Sequence, residues 1–211
     1  MRVRKIKNVE EKILKYDNII VLEPTEYKGK WRELFKNDNP IYLEIGMGKG
    51  QFIMNNAVQN PNINYIGCEL VNSVLYKAAI KISEQEIPNL YLINYDAFKL
   101  DEVFSNEEIE KIYLNFSDPW PKSRHEKRRL TSGEFLNVYK KFLIKDGVIE
   151  FKTDNRKLFE YSVMKFNELK YEILELSLDL HSDKEDVICT EYENKFMGLG
   201  QVIYYVKVRV K

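Results

Sequence analysis

The feature that most constrains this chain is a rhythm that begins at Pro40. Short apolar runs rich in β-branched and aromatic residues occupy positions 41–45, 65–68, 90–94, 112–116 and 148–151. Between them lie stretches 52–58, 74–82 and 135–143, whose apolar residues recur at spacings of three and four. The first four runs are nearly continuous in apolar residues, as parallel strands covered on both faces require. Alternating strand and helix patterns predict an α/β fold, a parallel sheet with helices on both sides and right-handed crossovers. Beyond residue 155 the rhythm breaks. Phe159, Val163, Phe166 and Leu169 make a helical stripe, and 171–180 and 202–210 read as two long strands. The second alternates apolar and charged residues from Val206 to Lys211, which suits a strand with one solvated face. The intervening 181–200 reads as a long, charge-rich connection of the kind that usually carries function.

Composition narrows the class. A chain of 211 residues reads by default as one domain with its own core. Basic and acidic residues number 33 each, which excludes a uniformly basic nucleic-acid coat but not a local patch. Hydrophobic residues at 44% exclude global disorder. Two cysteines, Cys68 and Cys189, cannot build a disulfide framework, and with two histidines they offer no zinc constellation. No apolar run approaches the roughly 20 residues needed to span a bilayer, and the N-terminus lacks the apolar core of a signal peptide. A cytoplasmic, reducing location is expected. The first sixteen residues carry Arg2, Arg4, Lys5, Lys7, Lys12 and Lys15 against Glu10 and Glu11, the composition of a loosely held basic arm.

The run 41–45 leads directly into Gly46-Met47-Gly48-Lys49-Gly50, and a helix pattern starts at Gln51. Strand, glycine turn and helix make a place where backbone N–H groups approach a ligand. The spacing G-x-G-x-G is neither a dinucleotide fingerprint nor a Walker A loop. Glu44 sits inside the apolar strand and demands a partner there. Glu69 ends the next strand, where an acid accepts ribose hydroxyls. This arrangement resembles the class I S-adenosylmethionine-dependent methyltransferases, whose ligand is a sulfonium rather than a pyrophosphate, so that acids beside the loop are favourable. Asp96 falls where such enzymes hold the adenine, and equally at the position of a helix N-cap before Ala97.

Residues 115–130 carry the most information. Asp118 follows an apolar strand at its carboxyl edge, where open α/β sheets bind ligands. Pro119 and Pro121 bracket Trp120 and stiffen the loop. Lys122, Arg124, Lys127, Arg128 and Arg129 follow with Glu126 alone opposing them, a composition suited to phosphate binding and base stacking. The run Asp118-Pro119-Trp120-Pro121-Lys122, then Arg124-His125 and Lys127-Arg128-Arg129, resembles the bacterial tRNA (guanine-N7)-methyltransferases, which act on guanine 46 of the variable region. Lys152-Thr153-Asp154 resembles that family's K-T-D motif, and Thr190-Glu191-Tyr192-Glu193 its T-x-Y-E motif. Ser117 departs from the family, many members of which carry proline there, and so does Ser123, often basic in relatives.

The resemblance implies a Rossmann-like domain over residues 31–211 behind a basic arm over 1–30. Its sheet would be mostly parallel and seven-stranded, with an antiparallel C-terminal strand pair. It implies Glu44, Gly46, Gly48, Glu69, Asp96 and Asp118 as ligands of S-adenosyl-L-methionine, which leaves as S-adenosyl-L-homocysteine. Asp118 would also be catalytic. Lys122, Asp154, Thr190, Glu191, Tyr192 and Glu193 would contact substrate, with Arg124, His125, Lys127, Arg128 and Arg129 facing RNA. From the residues alone, Asp154 also suits a helix N-cap before Leu158, and Tyr192 also suits core packing. His125 sits among cations that disfavour its proton, so it need not be a base. No metal, membrane or protein partner is implied beside tRNA, and the chain would act as a monomer or homodimer. The competing readings are a methyltransferase of another RNA base, disfavoured by Trp120 where amino methyltransferases carry proline, a non-catalytic RNA-binding protein, and a nicotinamide dehydrogenase.

Overall fold

The computed structural model describes residues 6–185, 187–197 and 200–211. The chain divides into two compact units, Met1–Ser105 and Asn106–Lys211.

In the first unit the elements run α1 (Val9–Ile13), β1 (Ile20–Val21), α2 (Trp31–Phe35), β2 (Ile41–Ile45), α3 (Gln51–Gln59), β3 (Asn64–Cys68), α4 (Asn72–Ser83) and β4 (Leu90–Ile93). The strands lie in the order β1-β4-β3-β2 with every pairing parallel. β3 is flanked on both sides and buried along its whole length, which is why its sequence shows no alternation. α4 buries Leu75, Ala78, Ala79 and Ile82, the three-and-four spacing of an amphipathic crossover helix. Arg2, Arg4 and Lys5 of the basic segment lie outside the described residues. From α1 onward the segment is built into the unit: Ile13 is buried, Tyr16 meets the ring of Tyr76 edge-on at 5.8 Å, and β1 pairs with β4. Trp31 is fully buried, and its indole N–H donates to the Val103 carbonyl at 3.2 Å.

The second unit holds β5 (Ile109–Asn115), α5 (Gly133–Tyr139), β6 (Leu143–Thr153), α6 (Arg156–Glu168), β7 (Glu172–Ser177), α7 (Leu180–Asp183), α8 (Glu191–Met197) and β8 (Tyr204–Arg209). Its strand order is β5-β6-β8-β7, with β5 and β6 parallel and β8 antiparallel to both β6 and β7. The C-terminal antiparallel pair is therefore present. The described strands number eight rather than seven. The additional one, β1, is two residues long, too short to leave a periodicity. Several boundaries differ from the sequence reading; β5 opens earlier, at Ile109, and β6 at Leu143. The helix expected over 135–143 stops at Tyr139, and Leu143 opens β6 instead. The strand expected to reach residue 180 stops at Ser177, whose hydroxyl accepts from Asp179 N at 3.1 Å and donates to Asp183 Oδ2 at 2.5 Å, a side-chain turn that takes the backbone out of the sheet. The connection over 181–200 carries most of α7 and all of α8. Among the described residues no helix is long and apolar enough to cross a membrane.

Candidate active site

In the first unit the motif residues gather at the carboxyl ends of β2, β3 and β4. Glu44, the penultimate residue of β2, is 2% exposed and lies in register with Gly67 of β3. The chain then turns sharply. Gly46 and Met47 donate their N–H groups to the Cys68 carbonyl at 2.9 and 3.2 Å. Gly46, Gly48 and Gly50 have φ of 75°, 59° and 74°, the left-handed region. Gly50 is the N-cap of α3, and a Cβ there would lie 3.2 Å from Ile82 Cδ1 and 3.3 Å from Ala78 Cβ. The third glycine of G-x-G-x-G thus lets α3 start hard against α4. A Cβ on Gly67 would overlap Met47 Sδ, so the bare backbone of β3 is what allows the loop methionine to tuck under the turn.

Glu69 follows β3 and clasps this loop. Its Oε2 accepts from Gly48 N at 3.1 Å and its Oε1 from Val71 N at 2.9 Å. Burial raises its pKa above the ordinary glutamate value, and the N–H groups of Val71, Gly48 and Leu70 pull the other way. Asn94 fixes the turn after Glu69 by donating to the carbonyls of Glu69 and Leu70 at 2.7 and 3.0 Å. Asp96 is an N-cap: its Oδ1 accepts from Phe98 N at 2.9 Å at the head of a 3₁₀ turn, Ala97–Glu102. It is also exposed. The set fits the cofactor implied by the motif. A carboxylate offers about four lone-pair sites, and Glu69 spends one from each oxygen on the loop, which leaves two for a vicinal pair of hydroxyls. A Cβ on Gly48 would meet nothing within 4 Å, so the loop backbone is open to close approach.

The second unit places its acids at the ends of two adjacent parallel strands. Asp118 stands exposed just beyond β5, and Asp154 directly follows β6. Asp154 is not the cap of α6. Asn155 takes that role, accepting from Leu158 N at 2.9 Å, while Asp154 Oδ2 accepts from Tyr192 Oη at 2.6 Å and Gln201 Nε2 at 2.9 Å. Tyr192 is not buried in the core either. It is 37% exposed, with its ring 4.9 Å from that of Phe116. Partial burial and the neighbouring Asp154 push its hydroxyl up to about 12.

Thr190 and Glu193 of the T-x-Y-E motif hydrogen-bond to each other. Thr190 Oγ1 accepts from Glu193 N at 3.0 Å, and Glu193 Oε2 accepts from Thr190 N at 2.8 Å, a capping box that starts α8. Glu193 is fully buried, and its Oε1 lies 3.3 Å from Lys152 Nζ, whose side chain is only 5% exposed. Lys152 also donates to the Ile188 carbonyl at 3.1 Å. This buried pair fastens α8 to β6. A lysine inside an apolar strand demands a partner as surely as Glu44 does, so it was detectable in sequence, but its partner was not. Glu191, by contrast, is only partly buried on the first turn of α8. His181, Cys189 and Glu193 place their ligand atoms within 4.8 Å of one another. A dication there would face the Lys152 ammonium on the same carboxylate, which disfavours it.

The cationic run splits. Lys122, Arg124, Lys127 and Arg128 are exposed on and before a 3₁₀ turn, Ser123–Arg128. The Arg128 guanidinium lies over the Trp120 ring at 4.9 Å, and His125 meets that ring edge-on at 5.6 Å. Lys127 pairs with Glu134 at 2.8 Å on the surface. Arg129 instead turns inward, with Nε 3.2 Å from the Pro119 carbonyl and Nη2 3.1 Å from that of Trp120.

Comparison with known proteins agrees with this chemistry. Residues 38–206 match a family model described as "Putative methyltransferase". A tRNA (guanine-N(7)-)-methyltransferase of Bacillus licheniformis is 50% identical over 208 residues, 98% of this chain and 98% of that protein. One of Geobacillus sp. (strain WCH70) is 52% identical over 210 residues, 99% of this chain and 96% of that protein. Among solved structures, a variant of the 16S rRNA (adenine(1408)-N(1))-methyltransferase from Catenulisporales acidiphilia with cosubstrate SAM gives a TM-score of 0.63 at 11% identity, over 90% of this chain and 92% of that one. That likeness is one of fold, the Rossmann-like fold of class I methyltransferases. On the strength of the near-full-length identity, the chain belongs to the tRNA (guanine-N7)-methyltransferase family.

Proposed function

We propose that this protein transfers a methyl group from S-adenosyl-L-methionine to N7 of guanine 46 in the variable region of tRNA, working in the cytoplasm as a monomer or homodimer. The observation that carries the reading is the edge of β5 and β6. Two carboxylates, Asp118 and Asp154, end neighbouring parallel strands, and exposed Lys122, Arg124 and Arg128 follow Asp118. Acceptors for a purine's N–H groups thus adjoin cations for a phosphate backbone.

Bound S-adenosyl-L-methionine would supply an electrophilic methyl group, its carbon–sulfur bond electrons staying on sulfur as the carbon–nitrogen bond forms. Glu69 would hold the ribose hydroxyls through its remaining lone pairs, with Gly46 and Gly48 presenting backbone to the ligand. Glu44 and Asp96 would complete that set. Guanine N7 carries a lone pair and no proton, so the chain has no proton to remove before attack. The role left to Asp118 is orientation and charge: it accepts from the guanine edge and stabilises the positive charge that develops on the purine. Asp154 and Tyr192 would border the same base, with Glu191 beside them on α8. Thr190 and Glu193 would act by holding α8 in place, and Lys122, Arg124, His125, Lys127 and Arg128 would track the RNA.

The test is methyl transfer from labelled cofactor to tRNA transcripts carrying guanine or adenine at position 46, with the product nucleoside identified by mass spectrometry. N7-methylguanosine should form with the first transcript alone. Transfer that persists with adenine at 46 refutes the position, and absence of cofactor-dependent transfer to either refutes the activity.

A further inference from the structure

Trp120 has φ of 39°, an uncommon conformation for a bulky residue, and it stands between two prolines that already restrict the loop. Such a conformation persists where its surroundings over-determine it. Arg129 is what surrounds it. Nε lies 3.2 Å from the Pro119 carbonyl and 3.3 Å from that of Trp120, and Nη2 lies 3.1 Å from the Trp120 carbonyl. Arg129 Cζ lies over the ring of Tyr161 on α6, 4.2 Å from its centroid. Tyr161 is itself held, its hydroxyl donating to Glu126 Oε1 at 2.9 Å, and Lys165 Nζ lies 3.7 Å from the same oxygen. The backbone at Arg129 is pinned as well, since its carbonyl accepts from Ser132 N at 2.8 Å.

We propose that Arg129 is a positioning residue, which clasps the Pro119–Trp120 turn to α6 and so sets where Asp118 stands, rather than one more contact to an RNA phosphate. The edge formed by Nε and Nη2 is one of those a guanidinium uses to grip an anion in bidentate fashion, and here it is spent on two carbonyls. The same guanidinium is held over the Tyr161 ring. Arg128, by contrast, is exposed and lies over Trp120. The catalytic consequence rests on the proposed role of Asp118; the clasp itself does not.

The experiment therefore has two arms. Trp31 is fully buried, so quenching of tryptophan fluorescence by iodide reports Trp120. Arg129→Ala should raise the quenching constant at least about twofold as the turn loosens. In transfer assays it should lower kcat at least about tenfold, with KM for tRNA changed less than about threefold. The slope of log affinity against log salt should stay at the wild-type value, whereas Arg128→Ala should reduce it by about 0.7–1. Arg129→Lys keeps the charge but not the fork, and should follow alanine in kcat. Unchanged quenching, a salt slope reduced as in Arg128→Ala, or full rescue of kcat by lysine each overturns the proposal. If Arg129→Ala does not fold, Tyr161→Phe and Arg129→Lys carry the quenching arm. If the wild-type chain transfers no methyl group to tRNA, the proposed function fails while quenching still decides the clasp.

Discussion

Both units end parallel strands in carboxylates, yet they hold them by different means. In the first, Glu69 is clasped by backbone N–H groups of Gly48 and Val71, and the glycines themselves shape the loop. In the second, Asp154 is held by the side chains of Tyr192 and Gln201, and Asp118 stands on a loop whose turn is secured by Arg129. Backbone clasps are rigid and nearly independent of side-chain identity at their donors. Side-chain clasps can be exchanged or released, because each depends on a rotamer and on whatever anchors it. On the proposed function, the first unit would offer the cofactor a pre-shaped pocket and the second would offer the base an adjustable one.

The sharpest way to break this contrast is at the buried pair that anchors the adjustable side. Lys152→Met leaves Glu193 buried without its cation, and removal of one partner of such a pair costs about 3–5 kcal/mol. Denaturant titration should show a loss of that order, with α8 affected first because its capping box shares Glu193. The double variant Lys152→Met with Glu193→Leu should recover part of it. A single variant as stable as wild type would show that the pair does not fasten α8.

Next comes Asp118→Asn, which keeps shape and removes charge. Loss of one electrostatic contributor to a transition state typically lowers the rate about 10²–10³-fold. Single-turnover rates at saturating cofactor and tRNA should fall by that order while the melting temperature stays put, since Asp118 is exposed. A wild-type rate removes Asp118 from the chemistry and leaves the second unit a binding surface.

The contrast also explains which parts of the molecule were readable from the chain. Strands buried on both faces, such as β3, announce themselves as unbroken apolar runs, and the glycine loop announces its turn because glycine alone tolerates it. Thr190 and Glu193 even stand at capping-box spacing. What the chain could not reveal is partnership over long sequence distances. Asp154 and Asn155 are both competent caps, and the choice is made by Tyr192, which reaches back from α8 to take Asp154. Five cations in one run look alike until Tyr161, on another helix, turns Arg129 inward. Likewise a lone histidine, cysteine and glutamate reveal no cluster until α7 and α8 bring them together. Local conformational preference is written locally, and side-chain pairing is not.

A smaller effect tests the rigid side. Gly50→Ala puts a side chain at φ of 74° and against Ile82 and Ala78. The left-handed conformation alone costs roughly 1–2 kcal/mol. Denaturation should report at least that loss, and cofactor affinity should fall with it, because α3 can no longer start where it does. Loss of stability with undiminished cofactor binding would mean that the loop is shaped independently of its helix.

The smallest effect concerns Glu69 and pH. Burial raises its folded-state pKa above the ordinary glutamate value, so the protonated form is the one the fold favours. Its contribution is full below the ordinary value, where folded and unfolded chains are both protonated. As pH rises from there toward the raised value, the unfolded chain ionises first and stability falls; above the raised value the loss is complete. Glu69→Gln has no proton to lose, so its stability relative to wild type should climb across that window, whatever constant offset follows from an amide that can satisfy only one of the N–H donors of Gly48 and Val71. Ribose hydroxyls would donate to the ionised carboxylate and lower its pKa. Saturating S-adenosyl-L-methionine should therefore flatten the wild-type curve toward that of the variant. Midpoints of chemical denaturation from about pH 4 to pH 8, with and without the cofactor, measure this. A wild-type curve that keeps its slope when the cofactor is bound would place the ribose elsewhere and leave Glu69 as a clasp of the loop alone.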